Sequence, residues 1–294
     1  MSAHGPGDGG PDRHSSAHGG WVPQFVCTPA CLPGAEPRVG AVRAALRAVA
    51  LLVVLTASAA GIVLLRGAPR RRWRRRCGAL ALAAAGVRLR ISGPTRLPAG
   101  ALVVANHLSW IDVLALEATG PVRVLAKREV RDWPVIGALA VRAGALFVDR
   151  SALRTLPVTV ARTADALRGG ATVGVFPEGT TWCGTAGGAF RRAAFQAAVD
   201  AGAPVQPVAL VLRLPDGAPT TAGAFVGDQT LGDSLRRVLL LPGLVCELTV
   251  LPPLPPGADR RALAAAAARA VAAVTGVEHP VPRSRVTPPV PAAA

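Results

Sequence analysis

Short apolar runs alternate with longer amphipathic stretches between residues 87 and 275 of the 294-residue chain. Several runs are apolar at almost every position, which is typical of strands covered on both faces of a sheet. The predicted strands are 87–91, 101–105, 122–126, 145–149, 172–176, 205–212 and 246–251. The predicted helices are 109–119, 134–143, 151–169, 188–201 and 258–275. This alternation favours one α/β domain over residues 87–275, with a mostly parallel sheet flanked by helices.

A longer apolar run, residues 48–65, precedes this domain and contains no charged residue. It is close to the lower limit of about 17 residues for crossing the hydrocarbon core of a bilayer. Arginines dominate the stretch that follows, RGAPRRRWRRR, and this pairing suits anionic lipid headgroups better than a nucleic acid. We therefore predict a membrane-associated helical segment over residues 41–86, with an arginine cluster, and favour it over a buried core helix.

Two membrane arrangements fit this segment. In the first, the run spans the bilayer, and the positive-inside rule places the arginines and the domain on the cytoplasmic side. In the second, the run forms a hairpin with the next apolar stretch, residues 77–87, and enters one leaflet. The chain ends differ in composition: residues 1–40 are rich in Gly, Pro, Ser and His, and residues 276–294 are rich in Pro. Both ends are predicted to be disordered tails.

The charge and the cysteine content of the chain bear on its metal binding and its compartment. The chain has 33 lysines and arginines against 17 acidic residues, a formal net charge of +16, and Lys127 is its only lysine. Cys27 and Cys31 have the spacing of half a metal site, but the sequence offers no second pair. The cysteines are therefore expected to be ordinary thiols in a reducing compartment, and no metal is expected.

The stretch ANHLSWID places His107 and Asp112 directly after the strand predicted at residues 101–105. That position is the carboxyl edge of the sheet, where α/β proteins place their sites. A helix start explains part of the motif, because Ser109 and Asp112 fit a capping box. His107 and Asp112 can meet only if the histidine precedes the helix and folds back over its first turn. The carboxylate would then orient the imidazole and stabilise its protonated form.

Three further stretches lie at predicted strand ends, in a fixed order. GALFVDR ends with Arg150, FPEGT carries Glu178, and VQPVAL is an apolar strand that begins at Val205. Together with the His107 block, these stretches resemble the four sequence blocks of the glycerolipid acyltransferase family, of the 1-acylglycerol-3-phosphate acyltransferase type. The resemblance covers roughly residues 75–250. Four blocks in order are specific, although each alone is a weak pattern.

The resemblance implies a glycerol-3-phosphate acyltransferase-like α/β fold and an acyltransferase activity. His107 would be the catalytic base and Asp112 its partner. The implied substrate-binding residues are Asn106, Arg150, Glu178, Gly179 and Thr180. Within the blocks, Arg150 would contact a phosphate of the acceptor, while Glu178 and Gly179 would shape the acceptor site.

The reaction chemistry agrees with these residues. An acyl thioester is already activated, whereas a lipid hydroxyl is barely ionised at neutral pH and needs a base, typically worth ~10²–10⁴-fold in rate. His107 is the only histidine between His18 and His279, and the G-x-S-x-G motif of a covalent serine route is absent. No cofactor is expected, and acyl-CoA or acyl carrier protein would be the co-substrate. The expected partners are membrane lipids and this donor, with no nucleic acid.

One position departs from the family pattern, in which FPEGT usually continues with an arginine. This chain has Thr181 there, so Arg150 with Arg191 or Arg192 would have to hold an acceptor phosphate. The implied function is acyl transfer to 1-acyl-glycerol-3-phosphate, giving phosphatidic acid, at the cytoplasmic side of the cell membrane. Another lysolipid, such as lyso-ornithine lipid, is the alternative acceptor. A non-catalytic membrane-anchored lipid-binding domain is the alternative of another class.

Overall fold

The computed structural model describes residues 27–34 and 36–280. Its strands are β1 (Val87–Ser92), β2 (Leu102–Ala105), β3 (Arg123–Lys127), β4 (Leu146–Val148), β5 (Val173–Val175), β6 (Val205–Arg213) and β7 (Leu244–Val250). Its α-helices are α1 (Ala41–Leu64), α2 (Gly67–Ala84), α3 (Trp110–Thr119), α4 (Ile136–Ala143), α5 (Leu156–Arg168), α6 (Ala193–Ala201), α7 (Leu231–Leu240) and α8 (Arg260–Thr275). The predicted α/β class is confirmed, and each predicted strand lies within two residues of an observed one.

The strands form one sheet in the order β1-β7-β6-β2-β5-β3-β4. All neighbouring strands are parallel except β6 and β7, which are antiparallel. All four residues of β2, near the middle of the sheet, are buried, which explains why its sequence is continuously apolar. Because β2, β5, β3 and β4 are consecutive and parallel, the loops that follow them meet in one row at the same edge of the sheet.

Helices cover both faces of the sheet, and the alternation of side chains along β2 divides the core between them. Val103 packs into a cluster with residues of α2, α3 and α7, whereas Leu102 and Val104 pack with residues of α5, α6 and α8. The largest fully buried side chains include Phe190 and Phe195 in the second cluster. The sheet is therefore a rigid base for the loops at its carboxyl edge.

Helix α1 is long and apolar enough to cross a membrane, by length and composition. Its 24 residues span about 36 Å at ~1.5 Å per residue, against a hydrocarbon core of ~30 Å. Only 17% of its most apolar window is buried inside the protein. A core helix would bury most of that window, so the structure argues against that interpretation of the run.

Helices α1 and α2 form a hairpin that rests on the α/β domain. The indole of Trp73 in α2 donates a hydrogen bond of 3.2 Å to the carbonyl of Ala57 in α1. The guanidinium of Arg47 in α1 donates to the carbonyls of Leu239 and Leu241, at 2.9 and 2.6 Å. The free carbonyls at the end of α7 explain this contact, because they need donors.

Helix α2 is partly a core element. Cys77, Ala81 and Leu82 are buried, with Leu82 in the core cluster beneath α3. One side of the stretch 77–87, the second arm in the hairpin arrangement, therefore packs on the domain. Arg74 of the arginine cluster is also buried, where it pairs with Glu117 at 2.6 Å. A buried arginine requires such a partner, so this residue stabilises the contact between α2 and α3.

Helix starts and one whole helix differ from the sequence prediction. α4, α5 and α6 begin two to five residues later than predicted, at Ile136, Leu156 and Ala193. α7 was not predicted, although Thr230 and Asp233 form a capping box that marks its start. Its apolar positions Leu231, Leu235, Val238 and Leu239 follow the helical period, so the sequence contained a signal for this helix.

Parts of the predicted tails are ordered against the domain. Most of the N-terminal tail, residues 1–26, and residues 281–294 lie outside the described residues. Residues 27–34, however, include a 3-10 turn at Pro29–Cys31, and Cys27 is buried beside Cys183. At the other end, His279 is buried at the edge of the site. The tail prediction is therefore wrong for these segments, because each contributes side chains to a buried cluster that composition alone does not reveal.

Candidate active site

His107 and Asp112 form the pair that the sequence suggested. His107 Nδ1 lies 2.8 Å from Asp112 Oδ2, and the histidine side chain is 20% exposed while the aspartate is fully buried. The same carboxylate oxygen accepts the backbone N–H groups of Leu108 at 2.6 Å and Ser109 at 2.8 Å. The carboxylate therefore holds Nδ1 as a donor and leaves Nε2 as the ring nitrogen available to a substrate.

The loop between β2 and α3 makes this meeting possible. Ser109 is the N-cap of α3, in extended conformation, and Asp112 at the third helical position returns a hydrogen bond to its N–H. This half of the predicted capping box turns the chain so that the imidazole folds back over the first helical turn. The ring of Phe176 stacks on one face of the His107 imidazole, with centroids 3.8 Å apart, and restricts its rotation.

Glu178 is a buried positioning residue. It is 3% exposed, and its two carboxylate oxygens accept the backbone N–H of His107 at 2.6 Å and of Gly188 at 2.8 Å. It therefore ties the loop after β5 to the catalytic loop and to the segment before α6. This segment is not helical although a helix was predicted, and Gly188 supplies its N–H to Glu178.

His279 completes the surroundings of Glu178 and was missed by the sequence prediction. Its Nδ1 lies 3.3 Å from Glu178 Oε1 and 3.2 Å from the carbonyl of Gly188, and its ring packs on Phe190. A cavity of about 330 Å³ lies on this side of Glu178, with Asn106 and His279 among its lining residues and without His107. A lone histidine in a Pro-rich segment gave no signal that it would reach this site.

The other residues implied by the family blocks shape the site in different ways. Asn106 is buried, and its amide donates to the carbonyl of Leu210 at 2.9 Å and accepts its N–H at 2.8 Å, so it connects β2 to β6. This pairing gives Asn106 a structural role, and its predicted part in substrate binding stays a prediction. Gly179 has a φ of 78°, which favours glycine in the turn after β5, and Thr180 beside it is buried.

Three cations gather beside the catalytic loop, at the ends of β3 and β4 and before α6. Burial lowers the pKa of Arg150, and the nearby positive charge of Arg191 lowers it further, opposed by Glu129. Desolvation by the surrounding protein, together with the charge of Arg150, also lowers the pKa of Lys127. Each pKa is lowered mainly because burial disfavours the charged form, and a bound anion would compensate part of that cost.

Thr181, which stands where the family usually has an arginine, makes a specific contact in the structure. The hydroxyl of Thr181 donates to the carbonyl of Phe225, so it faces the loop before α7. The next residue, Trp182, donates its backbone N–H to the carbonyl of His107 at 2.7 Å. Thr181 thus braces the catalytic loop, and the cations at this edge are Lys127 and the arginine pair. Lys127 was not among the predicted site residues, although its place at the end of β3 could have indicated it.

An imidazole that is 20% exposed is held by a buried carboxylate at the carboxyl edge of the sheet, beside a cationic cluster. This arrangement suits base-assisted group transfer. A family model described as Acyltransferase matches residues 88–211, which contain all four sequence blocks. Residues 88–211 therefore form an acyltransferase-family domain.

Named relatives come from two acceptor groups. The lyso-ornithine lipid O-acyltransferase of Pseudomonas aeruginosa is 40% identical over 171 residues, 58% of this chain and 66% of that protein. The 1-acyl-sn-glycerol-3-phosphate acyltransferase of Neisseria gonorrhoeae is 35% identical over 169 residues, 57% of this chain and 66% of that protein. The chain thus spans about two thirds of the length of these relatives.

A solved structure agrees with the fold. The 1-acyl-sn-glycerophosphate (LPA) acyltransferase PlsC from Thermotoga maritima superposes with a TM-score of 0.62 at 19% sequence identity. The match covers 80% of this chain and 95% of that one. At this identity the likeness supports the architecture, and the chemistry rests on the residues of the site.

Proposed function

We propose that this protein transfers a fatty acyl group from a thioester donor to the free hydroxyl of 1-acyl-glycerol-3-phosphate, giving phosphatidic acid. The observation that carries the proposal is the 2.8 Å contact between His107 Nδ1 and Asp112 Oδ2, in a row of loops that also holds the cationic cluster. The pair supplies the base and the cluster supplies a place for the acceptor's phosphate.

In the proposed reaction, Nε2 of His107 takes the proton of the acceptor hydroxyl as its oxygen attacks the thioester carbonyl. The buried charge of Asp112 stabilises the imidazolium that forms. Collapse of the tetrahedral intermediate breaks the carbon–sulfur bond and releases the donor thiolate, which receives the proton. The ester product and the free thiol balance the reaction, and no cofactor takes part.

The acceptor's phosphate would lie against Arg150, Arg191 and Lys127. A phosphomonoester carries close to two negative charges at neutral pH. A guanidinium group can donate two parallel hydrogen bonds to two of its oxygens. These cations take the place of the arginine that usually follows the FPEGT block. The donor would be acyl-CoA or acyl carrier protein, both of them anionic, and the net charge of +16 favours their approach.

The protein would work at the cytoplasmic surface of the cell membrane. Val49, Leu52 and Val53 of α1 are each more than half exposed, while other parts of the same helix contact α2 and α7. A helix that is apolar outside and attached to the domain inside suits partial insertion into one leaflet. This arrangement places the lipid acceptor near the site without a crossing of the bilayer.

Charges on the outer side of α1 are expected to release the protein from membranes. The double variant Val49→Glu, Leu52→Glu should lower the fraction bound to vesicles of bacterial lipids at least ~10-fold, because each carboxylate opposes insertion. The matched control is Val158→Glu, Val274→Glu, which places the same charges on exposed valines of α5 and α8. Equal vesicle binding by the two double variants would show that α1 is not the attachment site.

A panel of acceptors tests the proposed function directly. The purified protein is given labelled acyl-CoA or acyl carrier protein with either lysophosphatidate or lyso-ornithine lipid in mixed micelles. We expect label in phosphatidate, because its precursor lysophosphatidate is the acceptor that carries a phosphate. Label in ornithine lipid alone would replace the acceptor and keep the reaction class, and label in neither would overturn the proposed function.

A further inference from the structure

Three thiols converge beside the active site, although two of them lie more than 150 positions from the third in the sequence. The sulfur atoms of Cys27, Cys31 and Cys183 all lie within 4.8 Å of one another. Cys27 and Cys183 are buried and Cys31 is half-buried, and all three are free thiols. The turn Pro29–Cys31 brings Cys31 round to face the same point as Cys27. The third thiol comes from the loop that follows FPEGT.

Hydrogen-bond donors surround these sulfur atoms. The backbone N–H of Cys183 points to the sulfur of Cys27 at 3.3 Å, and the hydroxyl of Thr185 lies 3.1 Å from the sulfur of Cys183. Such outer contacts orient thiolates and spread their charge when a cation is bound. A purely apolar packing cluster would not need them.

We propose that Cys27, Cys31 and Cys183 bind a zinc ion. A tetrahedral ion with Zn–S bonds of ~2.3 Å holds its sulfur ligands about 3.8 Å apart, so the cluster reaches this geometry by movements of under about 1 Å. Thiolate ligands select soft ions such as zinc. The fourth position is open to water, because a depression lined by Cys27, Asp228 and Gln229 adjoins the cluster.

An ion would also settle the charge of the cluster. Cys27 and Cys183 are buried, so a thiolate at either position lacks solvation by water. A divalent cation removes the cost of the buried negative charges, and binding replaces up to three thiol protons, which go to solvent.

The ion would be structural, and it would influence the catalytic loop through one neighbouring residue, Trp182. Cys183 follows Trp182, whose N–H donates to the carbonyl of His107 at 2.7 Å. The ion would thus tie residues 27–34 to the segment that supports the catalytic loop. Cys27 and Cys31 have the spacing of half a metal site, and the fold adds Cys183, which sequence spacing could not reveal.

Metal analysis of the full chain tests the proposal. Protein purified in detergent from cells grown with zinc should hold about one zinc per chain after gel filtration. The Cys183→Ser variant should hold less than about a tenth of that, and so should Cys27→Ser. Cobalt(II) added to the metal-free protein should give the visible absorption of a tetrahedral thiolate complex, with loss on acidification because protons compete for sulfur.

The controls are Cys77→Ala and Cys246→Ala, which remove buried thiols outside the cluster and should leave the zinc content unchanged. Folding of each variant is monitored by circular dichroism, so that loss of metal is separated from loss of structure. Metal-free wild-type protein that takes up neither ion, with three titratable thiols, would overturn the proposal. A disulfide between two of the three cysteines, seen by peptide mapping without reductant, would overturn it as well. None of these measurements depends on the acyltransferase activity.

Discussion

Replacing His107 with alanine should lower kcat/KM for acyl transfer by ~10²–10⁴-fold, the usual contribution of a positioned general base. The loss should appear mainly in kcat, because the imidazole acts on the proton of the hydroxyl and the cations that bind the acceptor remain. The measurement is initial velocity with saturating acyl donor and varied lysophosphatidate, in mixed micelles of constant lipid fraction.

The Asp112→Asn variant serves as the matched partner of this experiment. Nδ1 of His107 and the N–H groups of Leu108 and Ser109 all meet one oxygen of Asp112, and an asparagine oxygen can still accept them. The variant removes the charge and keeps the shape, so its activity should fall between wild type and the His107→Ala variant. Undiminished transfer by folded His107→Ala protein would remove the base from this position and favour the non-catalytic lipid-binding alternative.

The second large effect is expected at Arg150. The Arg150→Ala variant should have a kcat/KM for lysophosphatidate that is ~10–100-fold lower, which is the range for losing hydrogen bonds to a charged group. The cost should fall mainly on KM if the phosphate is held equally before and during the reaction. Arg150→Lys should recover part of the activity, because it restores the charge without the planar pair of donors.

The matched control for Arg150 is Arg162→Ala, which removes the same charge from an exposed position on α5. An uncharged lysolipid acceptor provides the second comparison, since the Arg150 variant should lose its preference for the phosphate and keep its turnover on that acceptor. Equal losses on both acceptors would mean that Arg150 supports the fold of the site and does not bind the phosphate.

The sheet and the catalytic pair could be predicted from the sequence because both depend on local pattern. Strands such as β2 are apolar throughout, and that pattern needs only four residues to be recognised. The His107–Asp112 contact is formed within five residues, at the junction of a strand and a capped helix. Its stacking partner, Phe176, lies in the FPEGT block that the sequence also singled out.

The rest of the site depends on contacts between residues that are distant in the sequence. The periodicity of apolar residues does not predict such contacts. Asn106 stood in a motif that suggested substrate contact, yet its amide meets the backbone of Leu210 on the neighbouring strand. Cys183 completes a thiol cluster with residues that precede it by more than 150 positions. Only the fold determines which of these side chains meet.

The position of His279 has a consequence for how the protein is made. Synthesis runs from the amino terminus, and domains fold in that order as they emerge. α1 leaves the ribosome first and can reach the lipid surface while the rest of the chain is still being translated. Glu178, which holds the catalytic loop, gains its contact with His279 only when more than 200 residues after the end of α1 have been made. The protein would therefore reach its membrane before its active site is finished, and a newly made chain would arrive there inactive.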